Sequence, residues 1–514
     1  MNCENWVGNY SFFRSRISPD REAVYDYDRN IHYSYGDLEY RANVLANYLV
    51  DELNIKKGDR IAFCSRNSIE LIDAYSATAK TGTILTTYNP YLSDAELTAM
   101  INNEEPVVLF YEDLFEGVVN KIRPNINVKS YIVMSNKACD DLNYEDIMKY
   151  GKSDYIECKD LDLEDIHLLI HTGGTTGVPK GAKISHRALL YNAMSEILTL
   201  NLTGSDSAYV FMPLFHTAGW NIILLPILHV GGRITISKNI DPKLIIDIIQ
   251  DERPTVLLGV STIFRMIINH PDFENADFSS LRWMLSGAAP TSVDIMEKFW
   301  EKNVKFVLAY GMTEAGPNNL CPVADNMSME TIREKCQSVG KPMYFNNVRI
   351  VNDDGEEVGP NEHGEIIWSG PLIFSGYWNN EKETNETLRN GWVYTGDIAM
   401  KDEDGYYYIV GRKKNMYITG GENIFPTEIE KKIYRHPKVH EVCVIGVPDD
   451  KWGEVGKAVV SLKSDYHLSQ EELKEFLKGK IGSIEIPKYI QIVEELPKNN
   501  AGKVQRGVIM EMYR

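Results

Sequence analysis

A short apolar run at 166–170 reads as a β-strand, and it delivers the chain into His171-Thr172-Gly173-Gly174-Thr175-Thr176-Gly177-Val178-Pro179-Lys180-Gly181. Ser185 then stands as a cap for a helix opening at His186. No other stretch limits the fold as tightly. Glycines let backbone N–H groups turn inward, threonine hydroxyls donate to anionic oxygens, and a lysine adds a point charge, which together suit a polyphosphate. The stretch is not the P-loop of kinases and GTPases: that pattern closes on Gly-Lys-Ser/Thr, whereas here Pro179 precedes Lys180 and Gly181 follows it.

The surroundings are α/β. Leu38, Ala42, Leu45 and Leu49 recur at helical spacing, Gly58-Asp59 turns the chain into an apolar strand at 61–63, Ser93 and Glu96 form a capping box, and 107–110 reads as the next strand. From 348 to 409 the texture changes to short strands and many turns (Asp354-Gly355, Asn390-Gly391, Asp404-Gly405), which predicts a compact β-rich subdomain at about 340–411. Beyond it, strands at 442–447, 458–462 and 489–493 and a helix capped by Ser469 and Glu472 describe a small α+β unit. The expectation is a large N-terminal domain over 1–411, built of α/β sheets with a small β-barrel, and a hinged α+β domain over 412–514. A chain of 514 residues is too long for one core at roughly 150 residues per domain.

A formal net charge of −19 argues against nucleic acid or an anionic membrane as partner, so any anionic ligand must meet a locally basic pocket. The seven cysteines are odd in number, scattered and without a C-x-x-C, which points to neither a disulfide framework nor a zinc site and suits a reducing cytoplasm. The longest greasy run, 222–230, is interrupted by Pro226 and His229 and falls far short of a membrane span.

Several further motifs have an ordinary reading beside a chemical one. Ser286-Gly287-Ala288-Ala289-Pro290 reads as a tight turn after a strand at 282–285. Arg412-Lys413-Lys414 reads as a solvated basic patch, and Thr419-Gly420-Gly421-Glu422 as a bend before a helix at Thr427. Trp452 alone reads as core, and 497–503 as a polar tail. Taken with Tyr310-Gly311-Met312-Thr313-Glu314 and Tyr394-Thr395-Gly396-Asp397, however, they resemble the adenylate-forming superfamily, which includes acyl-CoA synthetases, stand-alone adenylation domains and luciferases. The resemblance runs from about Ser34 to Lys503.

That resemblance implies a role for each motif. Thr172 to Gly177 would wrap the β- and γ-phosphates of ATP, with Lys180 steadying the leaving pyrophosphate. Gly287, Ala288 and Ala289 would lie along the adenine, Tyr310 would stack on it, and Gly311 and Met312 would complete that wall. Thr313 would approach the α-phosphate, and Glu314 would hold Mg²⁺, for which one carboxylate plus phosphate oxygens is chemically sufficient. Asp397 would accept from both ribose hydroxyls, Arg412 would contact the ribose, and Lys414 would be the pivot of a domain rotation. Lys503 would bridge the two anions forced together when a carboxylate attacks the α-phosphorus. His216 would gate the carboxylate end of the acid, with Trp220, Asn221, Gly287 and Gly311 lining the acyl pocket. Gly420, Gly421 and Trp452 would line the passage for pantetheine.

Phe215-His216 has no acid beside it to pair with a substrate ammonium, so an uncharged, apolar acid is expected. The reaction implied is ATP-dependent formation of an acyl-adenylate followed by transfer to CoA. A stand-alone enzyme loading a carrier-protein phosphopantetheine, a luciferase-like oxygenation and a catalytically silent nucleotide-binding regulator stand as alternatives, the last opposed by the presence of Lys180, Glu314, Asp397 and Lys503.

Overall fold

The computed structural model describes residues 9–135, 140–173, 179–288, 291–464, 466–498 and 504–513. Two compact units emerge: Met1–Val348 with Trp368–Val393, and Arg349–Ile367 with Tyr394–Arg514. Compactness thus groups most of the turn-rich segment with the C-terminal hundred residues and sets no break at 411/412.

The first unit is built on two seven-stranded sheets of like design. One runs Leu142–Asn143, Ser130–Met134, Val108–Glu112, Arg60–Cys64, Ile84–Tyr88, Ile166–Thr172, Lys180–Ser185, and every neighbouring pair is parallel except the last. The other runs Phe306–Leu308, Trp283–Ser286, Val256–Gly259, Ser207–Val210, Arg233–Ile236, Glu22–Asp26, Ile31–Ser34, again parallel but for its final pair. Their central strands read as unbroken apolar runs because parallel strands are covered on both faces. Helix Tyr35–Asp51 buries Leu38, Ala42, Leu45 and Leu49, as their spacing predicts, and a reciprocal capping box of Ser34 and Asp37 opens it. The Ser93–Glu96 box opens helix Asp94–Glu104.

A strand that sequence periodicity does not reveal changes the setting of the Gly/Thr loop. Lys180–Ser185 returns antiparallel to Ile166–Thr172, and only then does Ser185 cap helix His186–Thr199 through Ala188 N–H. The loop therefore heads a hairpin, and its lysine sits on a strand.

The second unit holds mainly antiparallel sheets. Trp392–Lys401 pairs with Tyr407–Arg412, bringing Asp397 opposite Arg412. Val439–Asp449 pairs with Gly453–Leu462, to which Tyr489–Val493 adds in parallel. Helices Pro426–Ile433 and Gln470–Leu477 cover that sheet, with Ile429, Ile433, Val444, Val460, Leu473 and Leu477 in the core between them. Among the described residues, no helix is long and apolar enough to cross a membrane.

Candidate active site

In the first unit, strand pairing fixes the loop's ends: Thr172 lies opposite Lys180, and His171 opposite Gly181. Gly173 begins the loop, while Gly174, Thr175, Thr176 and Gly177 lie outside the described residues. Lys180 Nζ stands 2.5 Å from Glu383 Oε2 and 5.4 Å from the centroid of the Tyr377 ring. The Tyr377 hydroxyl donates to Glu314 Oε1 at 2.7 Å. Burial, and then the Glu314 carboxylate, push the Tyr377 phenol up, so it stays a protonated donor. Lysine, phenol and two carboxylates thus form one network, with Glu314 only 6% exposed and oriented by its phenol. A single anchored carboxylate is a fitting partner for a hard cation whose remaining ligands are phosphate oxygens and water.

His171 is tied down beneath the loop. Its Nε2 lies 2.6 Å from Glu104 Oε1 and its Nδ1 3.1 Å from the Thr87 carbonyl, while Glu104 Oε2 accepts from the Thr86 and Tyr88 hydroxyls at 2.8 Å each. Burial opposes a charge on His171, but Glu104 outweighs it and the pKa ends above the ordinary histidine value. His216 behaves oppositely. Its imidazole keeps solvent-accessible surface yet is ringed by protein, as a group facing a recess would be. Burial, and then the nearby His171, hold its pKa below the usual histidine value, so His216 is neutral at physiological pH.

The adenine-type motifs sit at the C-terminal ends of parallel strands, where open α/β sheets place their ligands. Ser286 closes Trp283–Ser286 beside Leu308, and Ala309 N–H donates to Ser286 O at 2.9 Å, so Gly287 and Tyr310 leave adjacent strand ends. Ala288 takes φ +64, a left-handed conformation that a non-glycine residue adopts at a cost. Ala289 lies outside the described residues. Tyr310, Gly311 and Met312 form a strand antiparallel to Gly316–Cys321, and Thr313 and Glu314 occupy the single 3₁₀ turn between them.

After His216 the chain makes one wide π-helical turn, Gly219–Leu224, then helix Leu225–Val230. Such turns often mark functional sites. Trp220 is fully buried, stacked on Tyr75 at 5.3 Å with its indole N–H donating to the Leu214 carbonyl, so its ring belongs to the core behind the turn. Asn221 is also buried, and its amide donates to Thr217 Oγ1 at 2.9 Å.

The second unit carries its own set. Asp397 Oδ1 is 2.8 Å from Arg412 Nε, and Arg412 Nη1 donates to the Thr395 carbonyl at 2.8 Å. The carboxylate is 9% exposed and the guanidinium 50%, so Asp397 is buried while Arg412 meets solvent. Lys414 lies in the 3₁₀ turn Lys413–Asn415 that follows. Gly420 and Gly421 are the two-residue turn of a hairpin in which Thr419 faces Glu422. Their φ values, +59 and +91, are what a type I′ turn requires at both positions. A Cβ on Gly420 would meet the Trp452 ring at 2.8 Å, whereas one on Gly421 would meet nothing within 4 Å. Trp452 is 42% exposed and packs over this turn instead of in the core. Lys503 lies outside the described residues.

Residues 13–378 match the AMP-binding enzyme family, and residues 428–503 match the AMP-binding enzyme C-terminal domain. The chain belongs to the AMP-binding enzyme family. A feruloyl-CoA synthase from an Amycolatopsis species is 33% identical over 511 residues, 99% of each chain. A long-chain-fatty-acid–CoA ligase of Bacillus subtilis is 30% identical over 524 residues, 96% of this chain and 92% of that one. ATP-bound MatB from Rhodopseudomonas palustris has a TM-score of 0.86 at 28% identity, with 99% of each chain covered. This AMP-binding enzyme therefore falls in the CoA-ligase branch of the adenylate-forming superfamily, whose members use ATP with Mg²⁺ and take CoA as cosubstrate.

Three residues of the site carry no motif: Glu104, Tyr377 and Glu383. Glu383 reads in sequence as the solvated first turn of a helix, since Asn380 caps Glu381–Thr387 through its N–H. Only the tertiary fold brings it to Lys180.

Proposed function

We propose that the protein joins an uncharged, largely apolar carboxylic acid to CoA at the expense of ATP. The acid's carboxylate oxygen attacks the α-phosphorus, the bond to the β-phosphate oxygen breaks, and pyrophosphate leaves with that electron pair. The CoA thiol, losing its proton, then attacks the acyl carbon and AMP departs with the electrons of the mixed-anhydride bond. No general base is needed in the first step, because a carboxylic acid with a pKa of about 4 to 5 is already ionised.

In this reading the loop from Thr172 to Gly177 and Lys180 hold the β- and γ-phosphates. Gly287 to Ala289 and Tyr310 to Met312 bind the adenine, and Thr313 contacts the α-phosphate. Glu314 holds the cation that screens the phosphates. Asp397 and Arg412 engage the ribose, Lys414 is the pivot, and Lys503 neutralises the developing charge. Gly420, Gly421 and Trp452 receive the thiol arm. The observation that carries the reading is the neutral, accessible His216 in the same unit as the Lys180–Glu383 and Tyr377–Glu314 network. A neutral imidazole can donate one hydrogen bond to the carboxylate without trapping it as an ion pair. An uncharged acid suits the apolar segment Ile222 to Leu228 and the absence of an acid beside His216. A reducing cytoplasm suits the five described cysteines, none of which forms a disulfide.

A pyrophosphate-release screen over fatty and aryl acids, with and without CoA, tests this. The expected result is acid-dependent pyrophosphate release followed by CoA-dependent thioester. Thioester formed only with a holo carrier protein, or no release with any acid, would overturn it.

A further inference from the structure

Tyr377 touches both Lys180 and Glu314. Lys180 Nζ lies over its ring, 5.4 Å from the centroid, and its hydroxyl donates to Glu314 Oε1 at 2.7 Å. The residue is buried, and its backbone is pinned from several directions. Gly376 O accepts from Lys183 N–H at 2.9 Å, Lys183 O from Ser375 N–H at 2.8 Å and Gly181 O from Trp378 N–H at 2.8 Å. Residues 375–378 thus lie antiparallel along strand Lys180–Ser185, with Tyr377 bridged to Ala182. From helix Glu381–Thr387, Thr384 Oγ1 accepts from Tyr377 N–H at 2.8 Å. Thr384 reaches that position because Gly376 has no side chain: a Cβ there would meet Thr384 Cγ2 at 2.6 Å. Phe374 completes the brace, giving its N–H to the Glu314 carbonyl at 2.9 Å and setting its ring edge-on against Tyr377 at 5.0 Å.

The two parts of this phenol act differently. The hydroxyl fixes which way the Glu314 carboxylate turns, and a ligand oriented in advance takes a cation more readily. The ring face attracts the Lys180 ammonium as a diffuse negative surface. We propose that Tyr377 is a positioning residue that holds the cation-binding carboxylate and the phosphate-binding lysine in one register, so that ATP is bound well with its cation and poorly without it. The proposal rests on the roles given to Lys180 and Glu314 above and deepens that reading. A carboxylate that cannot swing aside repels a bare polyphosphate, whereas a cation between them turns the repulsion into a bridge.

Calorimetry of ATP binding to the full chain, with Mg²⁺ and with the metal chelated, tests this. The wild type should bind ATP much more tightly with Mg²⁺. Tyr377→Phe keeps the ring and removes the hydroxyl, so the gain from Mg²⁺ should shrink by about ten- to a hundredfold, the usual loss when the partner orienting a metal ligand is removed. Its affinity for metal-free ATP should hold or rise. Glu314→Gln should lose the same gain, and adding Tyr377→Phe to it should cost little more, because the phenol acts through that carboxylate. Tyr377→Leu, which removes the ring as well, should also weaken metal-free ATP by about two- to fivefold. Melting temperatures accompany each variant, and if the leucine protein melts early the phenylalanine protein decides alone. An undiminished gain from Mg²⁺ in Tyr377→Phe, an equal loss with and without the metal, or full additivity with Glu314→Gln would overturn the proposal. A wild type that binds no ATP, or gains nothing from Mg²⁺, would instead bring down the nucleotide reading, and this proposal with it.

Discussion

The two units present most of their candidate groups in opposite ways, the buried Asp397 of the second being the exception. In the first, Lys180, Glu314 and His171 are partly or fully buried, Lys180 and His171 on neighbouring strands of one large sheet and Glu314 in a 3₁₀ turn of a three-stranded sheet, and each is held by a second side chain. In the second, Arg412, Gly421 and Trp452 lie on strand ends and hairpin turns with wide exposure. Charge stabilisation gains from dipoles that cannot relax, whereas admitting a long flexible arm needs open backbone and little side chain. The contrast teaches that one protein can hold side chains tightly where phosphate binding is assigned and leave backbone open where the thiol is assigned.

Four variants would break or sharpen that division. The largest effect is expected from Lys503→Ala, which should cut single-turnover adenylate formation by about a hundredfold or more, the loss typical when one oxyanion partner is removed. Thioester formation from supplied acyl-adenylate should persist, and equal loss of both half-reactions would mean that the lysine is not specific to the first. Next, Gly421→Asn puts a side chain into open space while tolerating positive φ better than leucine would. Conversion of acyl-adenylate to thioester should fall by about tenfold or more, with pyrophosphate release unchanged, as a misplaced reactant predicts. An unimpaired thioester rate in a protein of normal melting temperature would send the thiol by another route.

Asp397→Ala removes a charged acceptor contributing about 1.5–3 kcal/mol, so ATP affinity by calorimetry should fall by roughly ten- to a hundredfold. Because Arg412 loses its 2.8 Å partner as well, Asp397→Asn should fall between the two. Unchanged affinity would remove the ribose assignment. The smallest effect concerns stability. His171 has a raised folded pKa, so its ion pair with Glu104 contributes fully below the ordinary histidine value near about 6.5 and is lost as pH rises through the folded value. The difference in urea midpoint between the wild type and His171→Gln should therefore shrink as pH rises. A difference that grows with pH would mean that the imidazole is buried neutral.

Much of this layout is legible from local chemistry. Ser93 with Glu96, and Ser185 before His186, announce helix starts because a short hydroxyl side chain satisfies N–H groups that no helix residue can reach. Strand Lys180–Ser185 is not legible: Val178-Pro179-Lys180-Gly181 reads as loop, and its pairing is decided by the partner strand across the hairpin. Trp220 shows the limit of motif spacing, which identifies the turn but not which side of it the indole faces. Asn192 and Glu196 pass as an ordinary helix face until the Asn221 carbonyl is brought against the first and Asn318, more than a hundred positions on, against the second.

The Lys180–Glu383 contact also bears on what the protein ignores. A bare ammonium beside a glycine-rich loop would bind any passing phosphate, and a cell holds far more orthophosphate than it needs there. With Glu383 already seated, an arriving anion must displace a carboxylate, a net exchange of one anion for another. A small anion gains little from that swap, while a triphosphate gains contacts along its whole length. The carboxylate thus sets an admission threshold, and inhibition by free orthophosphate should be correspondingly weak.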